Sequence, residues 1–121
     1  MPEAIEVWRI FSKEDGTSSM ELLDVPMPDG ASKLLAGPGV VMRRILKDMV
    51  PAWHVGPRRQ MLATIAGEGE IETGDGQVLV VRPGIITLIE DLTGKGHLTR
   101  GRGDSDRYAL VWAIDDSVTV P

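Results

Sequence analysis

The chain contains no cysteine, which excludes disulfides, thiolate metal sites and a cysteine nucleophile together and suits a reducing, cytoplasmic compartment. Long apolar runs are missing too. No stretch approaches the ~18 residues of a spanning helix, and the opening MPEAIEVWRIF carries acids where a secretory signal needs bases. Basic residues are in the minority, 13 against 18 acidic ones for a formal charge of −5. Such a surface repels phosphate backbones and anionic lipid, so neither nucleic acid nor membrane is an expected partner. There is no internal repeat, low-complexity tract or linker, and 121 residues correspond to a single domain, 1–121. Only two histidines occur, His54 and His97.

What the sequence does have is punctuation. KEDGTSS, MPDGAS, AGPG, TGDG, RPG, LTGKG and RGRGDSD are clusters of residues that supply positive φ or local side-chain turns. Between them lie β-branched or aliphatic runs, Ile5 to Phe11, Val40 to Ile45, Met61 to Ala66, Val78 to Val81, Ile85 to Ile89 and Tyr108 to Ile114. These are too short for helices, and their regular spacing predicts an all-β sandwich or barrel. LLDV and ILKDMV are the helical candidates, both short and poorly periodic.

Two of the expected strands are apolar on both faces. In EVWRIF, Val7 and Phe11 oppose Trp8 and Ile10; in YALVWAI, Tyr108, Leu110, Trp112 and Ile114 oppose Ala109, Val111 and Ala113. One face lines a core and the other needs a cover. A homodimer through the first strand is the expected cover, the alternative being a second layer of the same chain. The best-defined local element is a hairpin with its turn at Gly74, Asp75 and Gly76, Asp-Gly being a leading type I′ pair. Period two places Glu68, Glu70 and Glu72 on one face of its first arm, read as a solvated carboxylate face rather than a metal cluster.

The stretch HVGPRRQMLATIAG from His54 resembles the first motif of the cupin superfamily, H-x-H, three residues, a glutamate, six residues and a glycine. GDGQVLVVRPGIITLIEDLTGKGH is similar to the passage into the second motif, where a Pro-Gly turn, a strand and a glycine-containing loop deliver another histidine. WHVGPRRQ with EDLTGKGH is similar to small single-domain bacterial cupins, and VWRIFSKEDGTS to their first strand and turn. The resemblance covers Val40 to about Ile114. It implies an all-β cupin fold, a double-stranded β-helix or jelly-roll barrel with its core about 40–114, the strand 5–12 adding to the barrel or to a dimer interface. It carries no single function, because cupins host oxygenases, isomerases, decarboxylases, lyases and non-catalytic binding proteins.

Residue by residue, the resemblance places His54 on the first motif histidine, Gly67 on the closing glycine and His97 on the second-motif histidine. It also shows two departures, Gly56 where the second histidine belongs and Gln60 where the glutamate belongs. The implied metal ligands are therefore His54 and His97 with Gln60 as a weak donor, for a divalent iron, manganese, nickel or zinc ion. Glu90 or Asp91 can restore a carboxylate. The other reading has no metal: His54, His97 and Gln60 then act as hydrogen-bonding or acid–base groups in enolisation, isomerisation or elimination.

Arginine pairs supply the remaining candidates. Arg43-Arg44 and Arg58-Arg59 lie in or beside strands, so period two turns one member of each inward. In the family register that member is Arg58, unless a bulge at Pro57 exchanges it for Arg59. An inward guanidinium needs an anion, either Glu90 or Asp91 within the chain or the carboxylate of a substrate. Lys95 in TGKGH is a further candidate for holding negative charge. The expected ligand is a small polar or anionic metabolite, an organic acid above all, with metal-assisted oxygenase or isomerase chemistry or with binding and sensing alone. TGKG lacks the glycine spacing and Ser/Thr of a phosphate loop, and RGD at Arg102 to Asp104 is a coincidence within a turn.

Overall fold

In the computed structural model, residues 5–26 and 34–120 are described, and among them the chain forms ten strands and no helix. They are β1 Glu6–Ser12, β2 Ser18–Leu23, β3 Val40–Ile45, β4 Trp53–His54, β5 Gln60–Ala66, β6 Glu68–Glu72, β7 Val78–Val81, β8 Ile85–Glu90, β9 His97–Arg102 and β10 Arg107–Ala113. Six pair in the order β2-β1-β8-β5-β10-β3 and four in the order β4-β9-β6-β7. The protein is thus all-β, two open-edged layers rather than a closed barrel. No described helix is long and apolar enough to cross a membrane.

Each expected β-branched run is a strand, and the two helical candidates are not helices: LLDV spans the end of β2 and the residues just beyond it, and ILKDMV is the end of β3 and a turn. The turn cluster MPDGAS lies outside the described residues. β2, β4 and β9 are not among the expected strands, because SSMELL, WH and HLTRGR are polar, short or broken by glycine.

Alternation along the six-stranded sheet separates two apolar clusters. Trp8 and Ile10 of β1, Leu62 of β5 and Ile85 and Ile89 of β8 point toward the second layer and pack with Met20, Ile71, Leu79 and Val81. Val7, Met61, Ile86, Leu88 and Trp112 point the other way, where Leu23, Val25, Leu35, Ile114, Val118 and Val120 cover them. The cover for the second apolar face is therefore the chain itself. Both hydrogen-bonding edges of β1 are likewise taken, antiparallel by β2 and parallel by β8. Flanking segments that are too irregular to read as strands supply this covering layer.

The hairpin forms between β6 and β7, with Gly76 at φ +87°. Asp75 accepts from the hydroxyls of Ser19 and Thr73, each at 2.6 Å, and so ties the turn to β2. Its glutamate face is not merely solvated. β9 lies beside β6, and Arg100 reaches Glu70 at 2.8 Å and Glu72 at 2.9 Å, while Arg102 reaches Glu70 at 2.9 Å and Glu68 at 3.1 Å.

Candidate functional site

The inward side chains of the two layers enclose a cavity of about 100 Å³. The six-stranded sheet contributes Arg43 and Ile45 from β3, Gln60 and Leu62 from β5, Ile89 from β8 and Arg107 from β10. Opposite them stand His54 from β4, Ile71 from β6 and His97 and Thr99 from β9, with Met49 and Pro57 from the connections. Period two accounts for each wall: Arg43 and Ile45 pair with Ala109 and Arg107 and share their face, as Gln60 and Leu62 share theirs.

His54 and His97 are directly opposed in the β4–β9 ladder, their ring centroids 4.6 Å apart and tilted by 57°. Gly96, at φ +76°, makes that ladder possible, since a Cβ there would stand 1.9 Å from the His54 carbonyl oxygen. His97 is 5% exposed and its Nδ1 lies 2.6 Å from Oδ2 of Asp91, which is fully buried. As a carboxylate Asp91 can only accept, so Nδ1 carries the hydrogen, and in the neutral ring Nε2 is an acceptor. The other carboxylate oxygen, Oδ1, has no hydrogen-bond partner among the described residues. His54 is exposed and uses Nδ1 on the carbonyl of Ala52 at 3.0 Å. Gln60, 4% exposed, has no side-chain hydrogen bond to any described residue.

The polar wall that sequence reasoning misses is Arg107. It is 5% exposed, its side chain donates to the Thr64 hydroxyl at 3.2 Å, and no described carboxylate pairs with it. Burial, reinforced by the charge of Arg43, pushes its pKa below the ordinary guanidinium value. Gly69 on the facing sheet leaves room for it, since a Cβ there would come within 2.9 Å of the Arg107 Nε. A signal for it exists in the sequence. Extending the alternation of Val111 and Ala109 back by one step places Arg107 on the same buried face, but the glycines and aspartates just before it read as a turn.

The other expected site residues divide. Arg43 lines the cavity, while its neighbour Arg44 turns away to Asp106 at 2.7 Å. Asp91 stands behind His97. Arg58 does not face inward: it is exposed, and it borders a separate groove with Val40, Val41 and Val111. Residues 57–59 form a bend before β5 begins at Gln60, so the strand's alternation does not extend back to them. Arg59 and Glu90 are also outside the cavity. Glu90 pairs with Arg59 at 2.6 Å and with Arg9, and Arg59 donates to the Asp115 carbonyl at 2.8 Å. Lys95 stacks 4.1 Å from the ring centre of Trp53 and is exposed.

Burial alone would raise the Glu90 carboxyl, but the hydrogen bonds and charges of Arg9 and Arg59 outweigh it and hold the pKa below the ordinary value. A depressed carboxylate stabilises the fold above its unfolded-state pKa and loses that contribution as pH falls through the folded one. Glu90→Gln is therefore expected to cost about 2 kcal/mol at pH 7, at the low end for a partly exposed pair. Acid titration of both proteins by circular dichroism checks the assignment. The stability difference should shrink below the ordinary glutamate range, and a gap constant from pH 7 to pH 3 contradicts it.

The resemblance implies a divalent metal, and the donor set does not fit one. Among the described residues no group of three or more histidine, aspartate or glutamate side chains is placed to hold a metal ion. The one nearby carboxylate, Asp91, is engaged by His97, and two guanidinium groups without described carboxylate partners face the same cavity. The position of the absent second histidine does not open toward the cavity either. A Cβ on Gly56 would meet Ile89 Cγ2 at 2.5 Å and Leu92 at 3.2 Å. No protein-family model matches the chain, and a search of curated proteins finds no match.

Proposed function

We propose that the chain is a cupin-like jelly-roll protein whose inter-sheet cavity binds a small organic acid without a metal, Arg107 and Arg43 holding the carboxylate. The observation that carries this reading is the burial of Arg107 with a hydroxyl as its side-chain partner. A buried charge without a counterion is costly, and a carboxylate ligand supplies the counterion in the paired geometry that guanidinium favours. The apolar wall of Ile45, Leu62, Ile71 and Ile89 suits a short carbon chain. His54, His97 and Gln60 surround the remainder of the ligand. The hydrogen-bonded His97–Asp91 pair supports acid–base chemistry on it; binding alone would make the protein a sensor or carrier.

Calorimetry with acetate, propanoate and succinate against their amides tests the reading. The acids are expected to bind and the amides not, with affinity falling as salt rises. An acid present at 100 times its Kd should add about 2.7 kcal/mol to stability. Amides that bind as well as acids, or a series in which nothing binds, would remove the proposal.

A further inference from the structure

Resting on the carboxylate reading of Arg107 and Arg43, the hydrogen-bond polarity of the cavity assigns a narrower ligand class, and we propose that it selects hydroxy acids over oxo acids and over acids without an oxygen substituent. His97 sets the distinction. Asp91 Oδ2, 2.6 Å away, takes the hydrogen on Nδ1, so in the neutral ring Nε2 is an acceptor and calls for a donor on the ligand. Nothing among the described residues donates to it, although the side chain is 5% exposed.

A hydroxyl hydrogen satisfies Nε2. A ketone oxygen would set acceptor against acceptor, and a methylene would leave the nitrogen unpaired in a buried site. Gln60 does not blur the distinction. Its amide carries both a donor and acceptors, so it can serve a hydroxyl or a ketone oxygen and favours neither. Asp91 is fully buried, and its one side-chain hydrogen bond among the described residues is to His97. Cavity size confines the class. At about 100 Å³, somewhat below the ~150 Å³ of an engineered cavity that takes benzene, it suits a short-chain acid.

Sites that hydrogen-bond a ligand hydroxyl reject the analogue lacking it more strongly than apolar pockets separate near-isosteres. The test is calorimetry near pH 8, where imidazole is ordinarily neutral, with lactate, 3-hydroxypropanoate, pyruvate and propanoate. At least one of the hydroxy acids is expected to bind tenfold or more tightly than both pyruvate and propanoate. Asp91→Asn is expected to bring pyruvate to within threefold of that hydroxy acid while propanoate affinity stays unchanged. An amide at 91 can donate to Nδ1 and move the ring hydrogen to Nε2. His97→Phe is expected to abolish the preference, leaving hydroxy acid, pyruvate and propanoate within threefold of one another.

Pyruvate or propanoate matching the hydroxy acids, with Arg107 still required, overturns this inference and leaves the carboxylate reading standing. A preference that survives in both Asp91→Asn and His97→Phe overturns it as well. Failure of all four acids to bind removes both proposals.

Discussion

Replacing Arg107 by methionine is expected to make the protein more stable and to abolish acid binding. A guanidinium that is 5% exposed, beside a second guanidinium and without a described carboxylate partner, contributes desolvation cost and repulsion to the fold. Methionine fills a comparable volume with apolar atoms. Exchanges of buried charge for packed hydrophobic groups are often neutral or favourable by 1–4 kcal/mol, and a gain of about 1–2 kcal/mol is expected here, a few degrees in Tm. Acid affinity should fall by ~30-fold or more, since truncating one partner of a buried charged pair costs at least about 2 kcal/mol. Denaturation in urea and calorimetry with propanoate measure the two effects separately. If the variant loses stability and keeps its affinity, Arg107 is structural and the carboxylate site is wrongly assigned.

The opposite outcome is expected at Gly96. Alanine there would place its Cβ 1.9 Å from the His54 carbonyl oxygen at a φ of +76°, combining an overpacked contact with a left-handed backbone. Either alone costs about 1–3 kcal/mol, and together ~3 kcal/mol or more is expected, a fall of roughly 10 °C in Tm for a domain of this size. The strain can be relieved only by separating β4 from β9, which parts His54 from His97. Thermal unfolding reads the first effect, and the imidazole resonances in an NMR spectrum read the second. A Gly96→Ala protein with unchanged melting and unshifted histidine resonances would contradict the ladder that holds the pair.

The strands with dense β-branched composition are legible because their apolar residues recur with period two between glycine- and proline-rich turns. Val40 to Ile45 and Val78 to Val81 coincide with β3 and β7. β4 and β9 are not legible, because what makes them strands is the pairing of β4 with β9 and of β9 with β6, a long-range fact that WH and HLTRGR do not encode locally. The site shows the same division. Placing the two histidines and Gln60 together is what the resemblance to the cupin motifs implies, and all three line the cavity. Extending the alternation of β5 backward through Pro57 predicts an inward Arg58, but the chain bends there instead. Arg107 escapes such a reading because a charged residue at the start of an apolar strand ordinarily ends the buried run. The cover on the outer face of the six-stranded sheet is illegible for a related reason: Leu35, Val118 and Val120 lie in segments without strand periodicity.

Arg107 begins in one layer and ends against the other, its guanidinium passing over Gly69 of the facing sheet. It is a strut between the two halves of the sandwich, and it bears like charge on its neighbour Arg43. Both arginines rise from neighbouring strands of one sheet, β3 and β10, so an anion held by the two would turn their repulsion into a clamp across those strands, at the point where Arg107 already reaches the facing sheet.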